Sequence, residues 1–69
     1  MLEKCREQAL KTLDAHHIDY IFETDKIVND TYILNISIMS NAGFLPYQFR
    51  VDIHNDIDYD ILMQLDELY

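Results

Sequence analysis

Between Thr31 and Ile53 the chain alternates apolar and polar residues in two runs separated by one short polar turn. A period of two puts every second side chain on the same side of a strand, so this stretch has little freedom to be anything but sheet. In Tyr47-Gln48-Phe49-Arg50-Val51-Asp52-Ile53-His54, residues Tyr47, Phe49, Val51 and Ile53 share one face and the polar residues share the other. Thr31 to Ser40 does the same, with Tyr32, Leu34, Ile36 and Ile38 inward and Thr31, Asn35 and Ser37 outward, while Ile33 and Met39 interrupt the outer face. Upstream, Ile18, Tyr20 and Phe22 alternate with Asp19 and Glu23, Ile21 being an apolar intruder, and predict a further strand over 18–24.

The connections are short. Ile27-Val28 lead into Asn29-Asp30, two residues that tolerate left-handed backbone and suit a tight hairpin. Ser40-Asn41-Ala42-Gly43 forms the second turn and holds the chain's single glycine. Neither link can carry a parallel crossover, so the three strands form an antiparallel meander, the third running to about His54.

On both flanks the period lengthens. Leu2, Cys5, Ala9, Leu13 and His16 recur at spacings of three and four, with Leu10 alongside, and predict an amphipathic helix over 2–16. Ile61, Leu62, Leu65 and Leu68 predict a second helix, for which Asn55, Asp56 or Asp58 can accept hydrogen bonds from the first free amides. Asp58 and Asp60 near its start complement the helix dipole. The expected fold is α+β in the order αβββα, a single small domain over 1–69, with both helices on one sheet face and an acidic face left open.

Composition narrows the class. A chain of 69 residues buries about 60% of its unfolded surface, so each apolar residue matters. Cys5 is alone and can form no internal disulfide; a small core residue in a reducing, cytoplasmic setting is the simplest reading. No apolar run approaches the roughly 18 residues a membrane span requires, and Met1-Leu2-Glu3-Lys4 lacks a signal pattern. A net charge of −8 repels nucleic-acid phosphates and anionic membranes and attracts basic surfaces. The excess is uneven: Val51 to Tyr69 contains Asp52, Asp56, Asp58, Asp60, Asp66 and Glu67 but no Lys or Arg.

Three constellations bear on chemistry. Asp56 to Glu67 resembles an EF-hand calcium loop over twelve residues, with carboxylates at the first, third and fifth positions and Glu at the twelfth, which implies a calcium-binding module as one alternative. Ile61 stands where such a loop needs glycine, and the helical spacing of Leu62 and Leu65 favours a capped helix start instead. Asp52, His54 and Asp56 alternate and would project from one face if the strand continued, a spacing permissive for a metal or proton transfer but ordinary for a solvated strand end. Ser37 and Ser40 lack a glycine-flanked elbow, Cys5 has no paired base, and one glycine cannot make a phosphate loop. The expectation is a protein that is not an enzyme and holds no metal or cofactor.

Binding is the remaining class. Tyr20, Phe22, Tyr32, Tyr47 and Phe49 fall on inward registers and read as core, whereas Phe44, Leu45 and Pro46 would be carried outward by a turn beside Asn41. Tyr59 and Tyr69 flank the acids, giving the aromatic and acidic mixture suited to basic surfaces. The expected partner-binding set is Asp52, Asp56, Asp58, Asp60, Asp66, Glu67, Tyr59 and Phe44. Acids presented in place of phosphates would occupy the basic surface of a nucleic-acid-handling protein. Small size, acidity and the lack of catalytic machinery look like the phage-encoded inhibitors of bacterial defence systems, including anti-CRISPR proteins, a likeness of type rather than of motif. The element order is also similar in outline to type III secretion chaperones and to small bacterial sensory-regulator domains, which implies a homodimeric scaffold holding its partner through apolar contacts at Ile33, Met39 and Phe44.

Overall fold

A computed structural model describes residues 1–68. Helix α1 (Leu2–Ala15) is followed by strands β1 (Tyr20–Val28), β2 (Thr31–Ser40) and β3 (Gly43–Asp52) and by helix α2 (Ile57–Leu68). The strands form one antiparallel sheet in the order β1-β2-β3, giving the αβββα arrangement. Alternation in β2 is complete: Tyr32, Leu34, Ile36 and Ile38 are buried while their neighbours are less so. They join Phe49 and Val51 of β3, Cys5, Ala9 and Leu13 of α1, and Ile61 and Leu65 of α2 in one core. Both helices therefore cover the same sheet face. Each fully buried aliphatic or aromatic side chain contributes about 1.5–3 kcal/mol of transfer free energy, which is set against the entropy of ordering the chain.

The turns follow from their residues. Asn29 and Asp30 both have positive φ, 50° and 63°, the handedness that matches the twist of a two-residue hairpin. Gly43 has φ 98°, which a side chain rarely adopts, and the Ser40 hydroxyl closes this turn by donating to the Gly43 carbonyl at 2.8 Å and accepting from the Ala42 amide at 3.1 Å. At the end of α1, His17 takes φ 58°, its amide donates to the Asp14 carbonyl and the Ile18 amide to that of Leu13, the paired bonds of a Schellman cap.

Four sequence expectations are corrected. The first strand does not stop at Thr24 but runs to Val28, because an extra residue at Glu23 shifts the register between Phe22 and Thr24. Beyond this bulge the alternation reverses, so Asp25 and Ile27 oppose the inward Leu34 and Tyr32. Phe22 keeps an inward register opposite Ile36 but lies on an edge strand and is 38% exposed, with the Arg6 guanidinium 5.4 Å from its ring. Phe44 sits in β3 opposite Met39 rather than in a turn. Finally, the uncovered sheet face is mixed, not acidic. Its centre is a hydrogen-bonded row in which Asn35 donates to Thr24, Gln48 to Asn35 and Arg50 to Gln48, and Lys26 and Arg50 flank Ile33. Of the acids nominated for binding, Asp52 alone shares this face, since the others follow the sheet in sequence. The strand ends there because the Asp52 carboxylate and carbonyl accept from the His54 and Asn55 amides and turn the chain.

Candidate protein-binding surface

Helix α2 sorts its acids by position. Asp56 caps its start, accepting from the Tyr59 amide at 3.3 Å. Asp58 lies three, four and seven residues before Ile61, Leu62 and Leu65, so it is on the inward stripe and meets α1. One of its oxygens accepts from the Thr12 hydroxyl and from the Gln8 amide, the latter at 2.8 Å. These donors, Thr12 foremost, hold the Asp58 carboxyl below the usual carboxylate range. Asp58 is therefore a tie between the helices. Asp60 is half-buried in the first turn, where its charge suits the dipole.

The outward stripe differs. Tyr59 is 60% exposed and Met63 47%, one turn apart, and Asp66 and Glu67 continue the exposed side. The last turn of α2 holds no basic residue, so Asp66 and Glu67 sit at the negative end of the dipole. Each such charge costs a helix about 0.3–1 kcal/mol when exposed. The fold gives no reason for them.

The remaining nominated residues are not gathered there. Asp52 marks one end of the open sheet face. Phe44 projects from that same face at the far end of β3, about 27 Å along the strand from Asp52, with the sheet between it and α2. Tyr69 lies outside the described residues.

A second acid, Asp25, carried no expectation. Arg6 holds it with two parallel bonds, Nε at 2.6 Å and Nη2 at 2.7 Å, and the Tyr32 hydroxyl donates at 2.9 Å. The Asp25 side chain is 3% exposed. Arg6 first, with Tyr32 assisting against burial, keeps its carboxyl below the usual range, while burial and the Asp25 charge push the Tyr32 phenol up. Periodicity alone does not mark Asp25, because the bulge at Glu23 that turns it inward shows only in the pairing of β1 with β2.

Residues 57–68 are continuous helix, so the segment that resembles a calcium loop does not form one. Among the described residues, no three His, Cys, Asp or Glu side chains are grouped so as to hold a metal ion. Asp52, His54 and Asp56 are separated by the turn after β3, and His54 instead lies 3.6 Å from Asp30, both exposed. Cys5 is buried in the core. An apolar groove of about 640 Å³ opens between the β2–β3 turn and the end of α2, lined by Ile38, Met39, Leu45, Pro46, Tyr47 and Leu68 among others.

Among the described residues no helix is long and apolar enough to cross a membrane. No protein-family model matches the chain, and no curated protein or solved structure matches it either.

Proposed function

We propose that this chain works by binding, as a small inhibitor or adaptor whose α2 outer face occupies the basic, nucleic-acid-contacting surface of another cytoplasmic protein. The observation that carries the reading is the pair Asp66 and Glu67, placed where the helix dipole opposes them and beside exposed Tyr59 and Met63. An exposed aromatic and a methionine followed along the same helix side by two carboxylates make a combination that suits a basic surface: apolar anchors for affinity, charge for steering and orientation. The partner is protein, and neither nucleic acid nor a membrane is contacted directly, because like charges repel. The mode of action is that of the phage-type anti-defence proteins this chain resembles in size and acidity.

The test is capture of partners from a host lysate at low and high salt by the intact chain and by a variant carrying Asp66→Lys and Glu67→Lys. The expected result is a basic nucleic-acid-handling protein that is retained at low salt, released at high salt and lost with the variant. Capture indifferent to both salt and charge reversal sinks the proposal. Asp58 is unsuitable for this purpose, since its reversal would break the α1–α2 tie.

A second reading has its own support. Ile21 is 51% exposed and Phe44 42%, and with exposed Met39 and Pro46 they gather at one end of the uncovered sheet face. Such a patch suits the apolar contacts of a dimeric scaffold. A Phe44→Ser variant that leaves the mass measured by light scattering unchanged, on a chain monomeric at high concentration, counts against it.

A further inference from the structure

Strand β3 is an edge strand, and edge strands present free backbone groups that invite another chain to pair. In an antiparallel ladder the N–H and C=O of one residue point the same way, and successive residues turn to opposite sides. The Arg50 main chain turns away from β2, and Gln64 of α2 reaches it. The Gln64 side-chain amide donates to the Arg50 carbonyl at 3.0 Å, and its oxygen accepts from the Arg50 amide at 3.4 Å. A primary amide offers the same donor and acceptor that a neighbouring strand would, so Gln64 stands in for one residue of a fourth strand.

The register from Ser40↔Gly43 to Thr31↔Asp52 is unbroken, so Gln48 and Pro46 also turn outward. Pro46 has no amide hydrogen to give. An incoming strand thus meets an occupied position at Arg50 and a missing donor at Pro46, with Gln48 alone between them. At the opposite edge, the Met39 amide donates to the Asp19 carbonyl, which turns Asp19 and Ile21 towards β2 and leaves Tyr20 and Phe22 facing out. The bulge at Glu23 then changes the step, so that Asp25 and Ile27 are the next outward residues. No regular strand can follow both pairs. Both edges are interrupted, each by a different device.

We propose that Gln64 is an edge guard: its side chain closes β3 to strand addition and, together with Pro46, keeps copies of this chain from pairing through the sheet. The inference is independent of any partner docking on α2. It adds that whatever binds this protein does so through side-chain faces and not by extending the sheet.

The experiment uses Gln64→Met, which keeps the length and helix preference of the side chain and removes both hydrogen bonds, and the double variant with Pro46→Thr. In the single variant, hydrogen exchange at the Arg50 amide should rise about fivefold, the effect of losing one net hydrogen bond, with other sheet amides unchanged. The double variant, at salt high enough to screen the acidic chain, should sediment as a concentration-dependent dimer in which the Gln48 and Arg50 amides become protected. Unaltered Arg50 exchange in the single variant, or a folded double variant that stays monomeric at every concentration, overturns the proposal. Gln64→Glu retains the acceptor alone; exchange at Arg50 below that of Gln64→Met is expected, and equal exchange overturns the proposal, since the side-chain oxygen would then not protect the strand.

Discussion

The corner where α1 meets β1 and the outer side of α2 treat carboxylates in opposite ways. At the corner, Asp25 is withdrawn from water and answered on three sides by Arg6 Nε, Arg6 Nη2 and the Tyr32 hydroxyl. On α2, Asp66 and Glu67 stand in water at a helix end that disfavours them. The first arrangement is what a fold does with a charge it needs, because an unanswered buried carboxylate is costly. The second is a charge the fold tolerates. Net charge alone cannot separate the two; position relative to donors and to the helix dipole can. Asp58 shows that one helix contains both kinds, since it points to Thr12 and Gln8 while its neighbours point away.

The contrast can be broken experimentally. Asp25→Ala leaves a guanidinium and a phenol without their acceptor and should lower stability by about 2 kcal/mol, roughly 10 °C in Tm for a chain of this size, as read by thermal unfolding. Acid should mimic it. Folding lowers the Asp25 and Asp58 carboxyls from their ordinary 3.8, so their contribution is complete above the unfolded value and disappears as pH falls through the lower folded one. Tm should decline steeply below about pH 4, and Asp25→Asn should flatten that decline. A smaller loss, about 1 kcal/mol, is expected for Asp58→Ala in denaturant unfolding, because Gln8 is exposed and the buried Thr12 hydroxyl still has the Gln8 carbonyl as acceptor. Smallest, and opposite in sign, is Asp66→Lys, which replaces a charge the dipole opposes with one it favours and should raise stability by about 0.5 kcal/mol while weakening partner capture. Were Asp66→Lys instead to destabilise as much as Asp58→Ala, the distinction between structural and spare acids would collapse.

Much of this architecture could be read from residue order. Tyr32, Leu34, Ile36 and Ile38 are buried as their alternation requires, and Asn29-Asp30 and Gly43 turn where left-handed backbone is needed. What escaped reading depended on contacts between distant residues. Asp25 turns inward only because one residue bulges at Glu23 and Arg6 lies above it, a coincidence of two elements that periodicity in either one does not express. Asp58 was legible in principle as a polar residue on an apolar stripe, but its partners Thr12 and Gln8 are more than forty residues away. The expected partner-binding set does not form one surface: Asp52 and Phe44 belong to the open face of the sheet and Asp58 to the seam between the helices, away from Tyr59, Asp66 and Glu67. Gln64 gave no signal, since a glutamine on a half-exposed helix face is unremarkable until a strand edge is found beside it.

The order β1-β2-β3 also has a kinetic consequence. Every strand pairs with its neighbour in sequence, so the sheet can close from its two turns without threading distant segments, the condition for fast folding. Whichever hairpin zips first already contains β2, and β2 is the template on which the other must form. The bulge at Glu23 then has to be set during the closure of the first hairpin, anchored by the Asn29-Asp30 turn. In a chain of this topology the register of the whole sheet follows from its two turns, with no contribution required from either helix.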